Sequence, residues 1–308
     1  MPRTTPPRPD RPDGPLAGRY VLLDQVGAGA MGSVWRARDL RTGQVVAAKV
    51  LRAHDSTTLL RFVREQSVRI AHPHVVAPTG WAAEDHRVVF AMDLVRGGSV
   101  ERLLAEHGPL PTAYVALLLD QTLQALAAVH AAGVVHRDVK PANLLLEPSG
   151  SGRPFLRLGD FGVAVPVEDV RLTRVPGGVG TDGYMAPEQA AGAAPDPRQD
   201  VYAAGMVATE LLTGRLGAPP PDGPLGPLLA AMTSADPDLR PPSAAAALER
   251  LRLLDLPHGG PGERPWPFVP DRLPDLPATR PSRWVDLAIA CFLGAIVLCA
   301  VAVYLLLS

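Results

Sequence analysis

One run of eight residues constrains this chain more than anything else in it: His136-Arg137-Asp138-Val139-Lys140-Pro141-Ala142-Asn143. It is followed by the apolar Leu144-Leu145-Leu146 and, seventeen residues after Asn143, by Asp160-Phe161-Gly162. An aspartate in such a loop can accept a hydroxyl proton. An asparagine oxygen and a second carboxylate can hold magnesium against a phosphate chain. A solvated charged turn would need none of this order, spacing or choice of residue types.

Two upstream motifs are weaker alone. Gly27-Ala28-Gly29-Ala30-Met31-Gly32-Ser33-Val34 lies between two strand-like runs. Glycine lets backbone approach phosphates closely and adopt torsions closed to other residues. A hairpin with a tight turn reads the same way, but strand rather than helix follows, which favours a flap over a nucleotide over a dinucleotide-binding turn. Val46-Ala47-Ala48-Lys49 then reads as a strand, with Glu65 on the helix expected next. A strand lysine held by a helix glutamate can orient the α- and β-phosphates of a nucleotide; an ordinary surface ion pair would contribute little. Thirty Lys and Arg residues include only two lysines, Lys49 and Lys140, and both fall in these motifs. Arginine's planar fork cannot copy a compact ammonium on a flexible stem, so lysine is kept where chemistry demands it.

The rest of the text sorts into zones. Residues 1–18 are rich in Pro and Arg with little to bury and are expected to be disordered. Residues 19–95 read as short β-runs around one helix near 59–71, and residues 96–255 as mainly helical, most clearly at 112–132, 200–213 and 243–254. Residues 256–283 are a proline-dense linker in which Trp266 and Phe268 are expected to pack on the domain. Residues 287–307 carry no charge, and at ~1.5 Å per residue they span about the thickness of a bilayer's hydrocarbon. A transmembrane helix within 284–308 is therefore expected. Arg280, Arg283 and Trp284 on its N-terminal side place the preceding domain in the cytoplasm. With the sequence ending at Ser308, almost no extracellular part is expected. The two cysteines, Cys291 and Cys299, both lie in this apolar run, so no disulfide framework or zinc site is expected elsewhere. A net charge of -1 without like-charge blocks argues against a nucleic-acid partner.

With these motifs in order, the chain resembles the bacterial eukaryotic-like serine/threonine protein kinases over residues 19–254. The resemblance implies an α+β, two-lobed protein-kinase fold, with a small β-rich lobe and a larger helical one. It implies ATP and Mg2+, with Mn2+ as a second candidate, and protein Ser/Thr substrates. Position by position, it makes Asp138 the catalytic base, pairs Lys49 with Glu65, lets Lys140 steady the transferred group, and gives Asn143 and Asp160 to the metal. Gly27, Gly29 and Gly32 form the flap. Val34, Ala47 and Leu145 wall the adenine, Met92 is the gatekeeper, and the hinge runs from Asp93 to Val95. A lysine two places after the base resembles serine/threonine rather than tyrosine kinases.

Ala186-Pro187-Glu188 resembles the end of an activation segment, with Arg240 as the partner of Glu188, and Asp200 resembles the start of the helix that anchors the catalytic loop. Thr181 sits where relatives contact that loop, which leaves Thr173 as the expected autophosphorylation site and Arg137 as its receiver. Self-association for trans-autophosphorylation is a further expectation. Residues 214–239 depart from the pattern: Ala, Pro and Gly replace a longer helical insert. The alternatives are a pseudokinase scaffold and a small-molecule phosphotransferase; all catalytic residue types are present against the first, and the Ala186-Pro187-Glu188 segment argues against the second.

Overall fold

A computed structural model describes residues 14–29, 32–52, 70–84, 87–160, 165–166, 183–256 and 265–273. Outside the described residues lie most of the expected disordered N-terminus, the expected helix bearing Glu65, Phe161-Gly162, Thr173, Thr181 and the expected transmembrane span. The chain divides into two units, 1–272 and 273–308, and only Leu273 of the second is described.

The first part of the larger unit is a five-stranded antiparallel sheet built from β1 (Tyr20–Gly29), β2 (Gly32–Asp39), β3 (Val45–Arg52), β4 (Pro78–Glu84) and β5 (Arg87–Met92), ordered β1-β2-β3-β5-β4. Its own small core joins Leu16, Tyr20, Leu22, Trp35, Ala37, Ala48, Val50, Val89 and Ala91. Alternation sets the faces: Ala48 and Val50 of β3 join this core, while Lys49 between them points the opposite way. At the sheet's start Arg19 grips the buried Asp39 with two hydrogen bonds, 3.0 and 2.7 Å. These hold the Asp39 carboxyl below its ordinary range.

A helical lobe follows. Ser99 caps α1 (Val100–His107) by accepting from the Arg102 amide, and Gly108, at a φ of 68°, ends it. The next helix, α2 (Thr112–Ala131), is long and apolar enough by composition to cross a membrane, but it is the buried spine of the lobe. After β6 (Val134–Val135), β7 (Leu144–Leu146), β8 (Leu156–Leu158) and β9 (Val165–Pro166) come α3 (Pro187–Ala190), α4 (Pro197–Thr213), α5 (Gly226–Met232) and α6 (Ala244–Arg252). Asp196 and a first-turn proline open α4, and Gly214 in the left-handed conformation closes it. Within 214–239 the only α-helix is α5, seven residues long, which buries Leu228, Leu229 and Met232. A two-lobed kinase-type fold is thus present among the described residues.

Residues 265–272 run back along the helical lobe. Trp266 meets the fully buried Tyr114 edge-on, with ring centroids 5.7 Å apart, and Val269 enters the main core. Phe268 does not pack as expected: it is 56% exposed, because alternation along this extended stretch turns it outward between Val269 and its neighbours.

Candidate active site

The loop between β6 and β7 carries the decisive octapeptide, and its shape is fixed from beneath. Asp200, in the first turn of α4 and wholly buried, accepts from the backbone amides of His136 (2.8 Å) and Arg137 (2.7 Å) and sits 2.8 Å from Nε2 of His130. Burial alone would push the Asp200 carboxyl up. The hydrogen bond from His130, together with the two histidines and the amide, outweighs it and holds the group below the ordinary carboxylate range. Arg137 is one of three non-glycine residues with positive φ among the described residues, at 65°. Its carbonyl accepts from Gln189 at 3.1 Å. This strained backbone sits immediately before Asp138.

Asp138 is held on both sides. Lys140 Nζ lies 2.9 Å from Oδ2, and Asn143 Nδ2 donates to the same oxygen at 3.0 Å and to the Asp138 carbonyl at 2.8 Å. With its nitrogen so used, the Asn143 amide keeps its oxygen as the remaining acceptor. The buried His136 ring reaches the Gly159 carbonyl at 3.1 Å, and the Gly159 amide donates to the Asn143 carbonyl at 2.9 Å. These bonds set Asp160 beside the loop. Asp160 also has a positive φ, 59°, and forms an ion pair with Lys49 from the sheet. The expected Lys49–Glu65 pair cannot be placed, since Glu65 lies outside the described residues. The partner that Lys49 does show is Asp160.

Register assembles the remaining residues. Ala47 stands opposite Met92, and Val34 opposite both Gly27 and Lys49. Gly29 pairs with Gly32, the last ladder pair of the flap, and a Cβ on Gly32 would fall 2.2 Å from the Val50 carbonyl at a φ of 151°. Leu144 and Leu146 face the core while Leu145 between them is half-buried, on the opposite face of β7. After β5, Asp93 is exposed and held by Arg157 of β8 at 2.7 Å, and Val95 is half-buried. Glu188 and Arg240 form a two-pronged pair at 2.7 and 2.8 Å, with the Arg240 guanidinium fully buried and lying over the Tyr202 ring. Thr173 and Thr181 lie outside the described residues.

Residues 20–222 match the protein kinase domain family. The chain belongs to that family. Curated relatives of this protein kinase domain include the serine/threonine-protein kinase PkaA of Streptomyces coelicolor, 43% identical over 217 residues, covering 65% of this chain and 40% of the relative. Pkn3 of Myxococcus xanthus is 38% identical over 211 residues, with shares of 65% and 39%. PrkC of Bacillus subtilis is 33% identical over 206 residues, with shares of 65% and 31%. The chain therefore spans well under half the length of these three relatives.

Membership of the family implies ATP and a divalent metal, typically Mg2+. The donor set fits such an ion. Asn143 and Asp160 offer an amide oxygen and a carboxylate, the hard oxygen ligands Mg2+ takes while keeping water and phosphate oxygens for the rest. Among the described residues no group of three or more His, Cys, Asp or Glu converges.

Sequence reading missed two parts of the site. Arg157 holds Asp93, the first residue of the expected hinge, and Gln189, next to the Ala186-Pro187-Glu188 motif, donates to the Arg137 carbonyl. Neither carries a motif; Arg157 could have been suspected only as the one charge in the apolar β8 run Leu156–Leu158.

Proposed function

We propose that the chain is a serine/threonine protein kinase that moves the γ-phosphoryl group of ATP onto Ser and Thr hydroxyls of proteins. One observation carries this reading: the Asp138 carboxylate, fixed by Lys140 and Asn143, stands in one hydrogen-bonded unit with Asp160, which Lys49 reaches from the sheet. The names of relatives 33–43% identical agree with it. Asp138 takes the proton as the substrate oxygen bonds to the γ-phosphorus and the bond to the ADP oxygen breaks. Lys140 stays near that proton and offsets charge on the transferred group. Lys49 exchanges Asp160 for the α- and β-phosphates. Asn143 and Asp160 hold Mg2+, which supplies charge neutralisation of the phosphate chain when bound. Val34, Ala47 and Leu145 enclose the adenine, and Met92 and Val95 border it. The test is γ-phosphoryl transfer to an acceptor protein by wild type and Asp138→Asn. The variant is expected to lose transfer and keep Mg-dependent ATP affinity; equal transfer by both would overturn the reading.

Regulation belongs to the same proposal. Thr173 is the autophosphorylated residue and Arg137 its receiver, acting in trans between two copies. Burial pushes the Arg137 guanidinium below arginine's usual value, and its Nε–H has no hydrogen-bond partner among the described residues, so a phosphate would supply both a counter-charge and an acceptor for this donor. Residues 287–307 anchor the chain in the membrane with the kinase domain cytoplasmic, and Mn2+ substitutes for Mg2+. Mass spectrometry after incubation with ATP, and carbonate extraction of membranes, test these parts separately. Phosphate found only elsewhere, or release into the soluble fraction, would refute them.

A further inference from the structure

Residues 265–272 lie beyond the family match at 20–222, yet they are stitched to the backbone that follows the hinge. Val269 exchanges amide hydrogen bonds with Gly150, at 2.8 and 3.0 Å, and is buried in the main core. The Arg272 amide donates to the Arg96 carbonyl at 2.9 Å and its Nε to the Gly97 carbonyl at 2.8 Å. The rest of its guanidinium grips Glu106 of α1, and Arg96 in turn pairs with Asp271 at 2.8 Å. Arg272, more than Arg102, holds the Glu106 carboxyl down to about 2.

Two consecutive glycines leave room for this arrangement. A Cβ on Gly97 would fall 2.8 Å from the Val269 side chain and 2.4 Å from the Leu146 carbonyl. One on Gly98, whose φ is 90°, would fall 2.8 Å from Cδ of Arg272. The Gly97 amide donates to Leu146, and the Leu146 amide to Gly98, each at 2.8 Å. The strap thus clamps the exit of the hinge onto β7, the strand whose Leu145 faces the adenine side in the reading above.

The geometry points to a new role for this segment: residues 265–272 are a strap that sets the position of the hinge for nucleotide, and Arg272 is its positioning residue. The inference rests on the kinase reading, since it needs nucleotide to meet the hinge at 93–95. Its logic is that of preorganisation. Arg272 never touches the reacting atoms; it removes freedom from the backbone that adenine must meet, so its loss weakens nucleotide binding while leaving the chemistry at Asp138 intact.

The experiment uses the full chain in detergent or nanodiscs. Steady-state transfer is measured for wild type, Arg272→Met, Arg272→Lys, Glu106→Gln and the exposed-site control Phe268→Ala, with ATP and acceptor protein varied separately. Arg272→Met is expected to raise KM for ATP about fivefold, the equivalent of one net hydrogen bond, with kcat and KM for the acceptor within about twofold. Arg272→Lys should recover part of the loss, and Glu106→Gln, which loosens Arg272 only from its outer side, should move KM for ATP the same way by less. Phe268→Ala should change nothing. An unchanged KM for ATP in both Arg272→Met and Glu106→Gln overturns the strap. So does a fall in kcat with unchanged KM for ATP, or an equal loss in all parameters, either of which assigns Arg272 to general stability. Absence of transfer and of ATP affinity in wild type would instead refute the kinase reading itself.

Discussion

Replacing Asp200 by asparagine tests how the catalytic loop is held. Oδ2 of Asp200 serves His130 and the His136 amide, while Oδ1 serves the Arg137 amide alone. An asparagine that keeps its oxygen toward the first two must turn its NH2 against the Arg137 N–H. The variant then loses one charge-assisted bond, about 1.5–3 kcal/mol, and leaves a buried donor facing a donor. The unsatisfied donor costs about 1–3 kcal/mol more and relaxation of Arg137 from its left-handed backbone returns about 1–2 kcal/mol, so a net destabilisation of about 0.5–5 kcal/mol, centred near ~3, is expected. Urea unfolding followed by tryptophan fluorescence measures it. The next residue is Asp138, and a shift of about 1 Å at a proton acceptor costs about a hundredfold in rate, so kcat should fall far more than KM for ATP rises. A variant within ~0.5 kcal/mol of wild type and with kcat unchanged would refute the argument that Asp200 shapes this loop.

The same carboxylate gives a pH prediction. Its pKa is depressed in the folded chain, so its contribution is fully present above the unfolded value near ~3.9 and is lost as pH falls through the lower folded value. Acid unfolding of Asp200→Asn should therefore be less steep than that of wild type below about pH 4. Glu188→Gln should destabilise by about 3–5 kcal/mol, because it leaves the fully buried Arg240 guanidinium without its counter-charge, whereas Arg240→Met leaves a half-buried carboxylate that water partly reaches and should cost less; the double variant should cost well under the sum, which a urea double-mutant cycle measures. Gly32→Ala should weaken ATP affinity about tenfold or more in a nucleotide titration, since its Cβ cannot coexist with the Val50 carbonyl unless the flap moves. Trp266→Ala should lower the melting temperature by about 2–4 °C through loss of its edge contact with Tyr114.

Residues whose chemistry tolerates no substitute were legible from sequence. Asp138, Lys140, Asn143 and Asp160 stood out by order, spacing and residue type, as the proton acceptor and metal ligands of the proposed reaction would require, and the lone pair of lysines stood out against a background of arginine. The partnership of Glu188 with Arg240 was legible only through resemblance, since 52 residues separate them. The meeting of Lys49 with Asp160, 111 residues apart, depends on how two lobes approach and leaves no local trace. The strap was harder still. Its Pro-rich text has neither strand nor helix period, and Arg272 is one arginine among many, so nothing marked it as the residue that reaches Gly97. Hydrophobicity marks Trp266 and Phe268 alike, and only the fold shows Phe268 turned outward between the buried Pro267 and Val269.

The Lys49–Asp160 pair has an electrical consequence. In the proposed reaction one cation serves two suitors, a carboxylate on the helical side and the phosphates that arrive with nucleotide, so loading the site would be an exchange of counter-ions that creates no new isolated charge. Asp160, released from that ammonium, would hold the divalent ion that accompanies ATP and regain a counter-charge from it. Nucleotide and metal should therefore strengthen each other's hold, and ATP offered without a divalent cation must compete with Asp160 for the same ammonium.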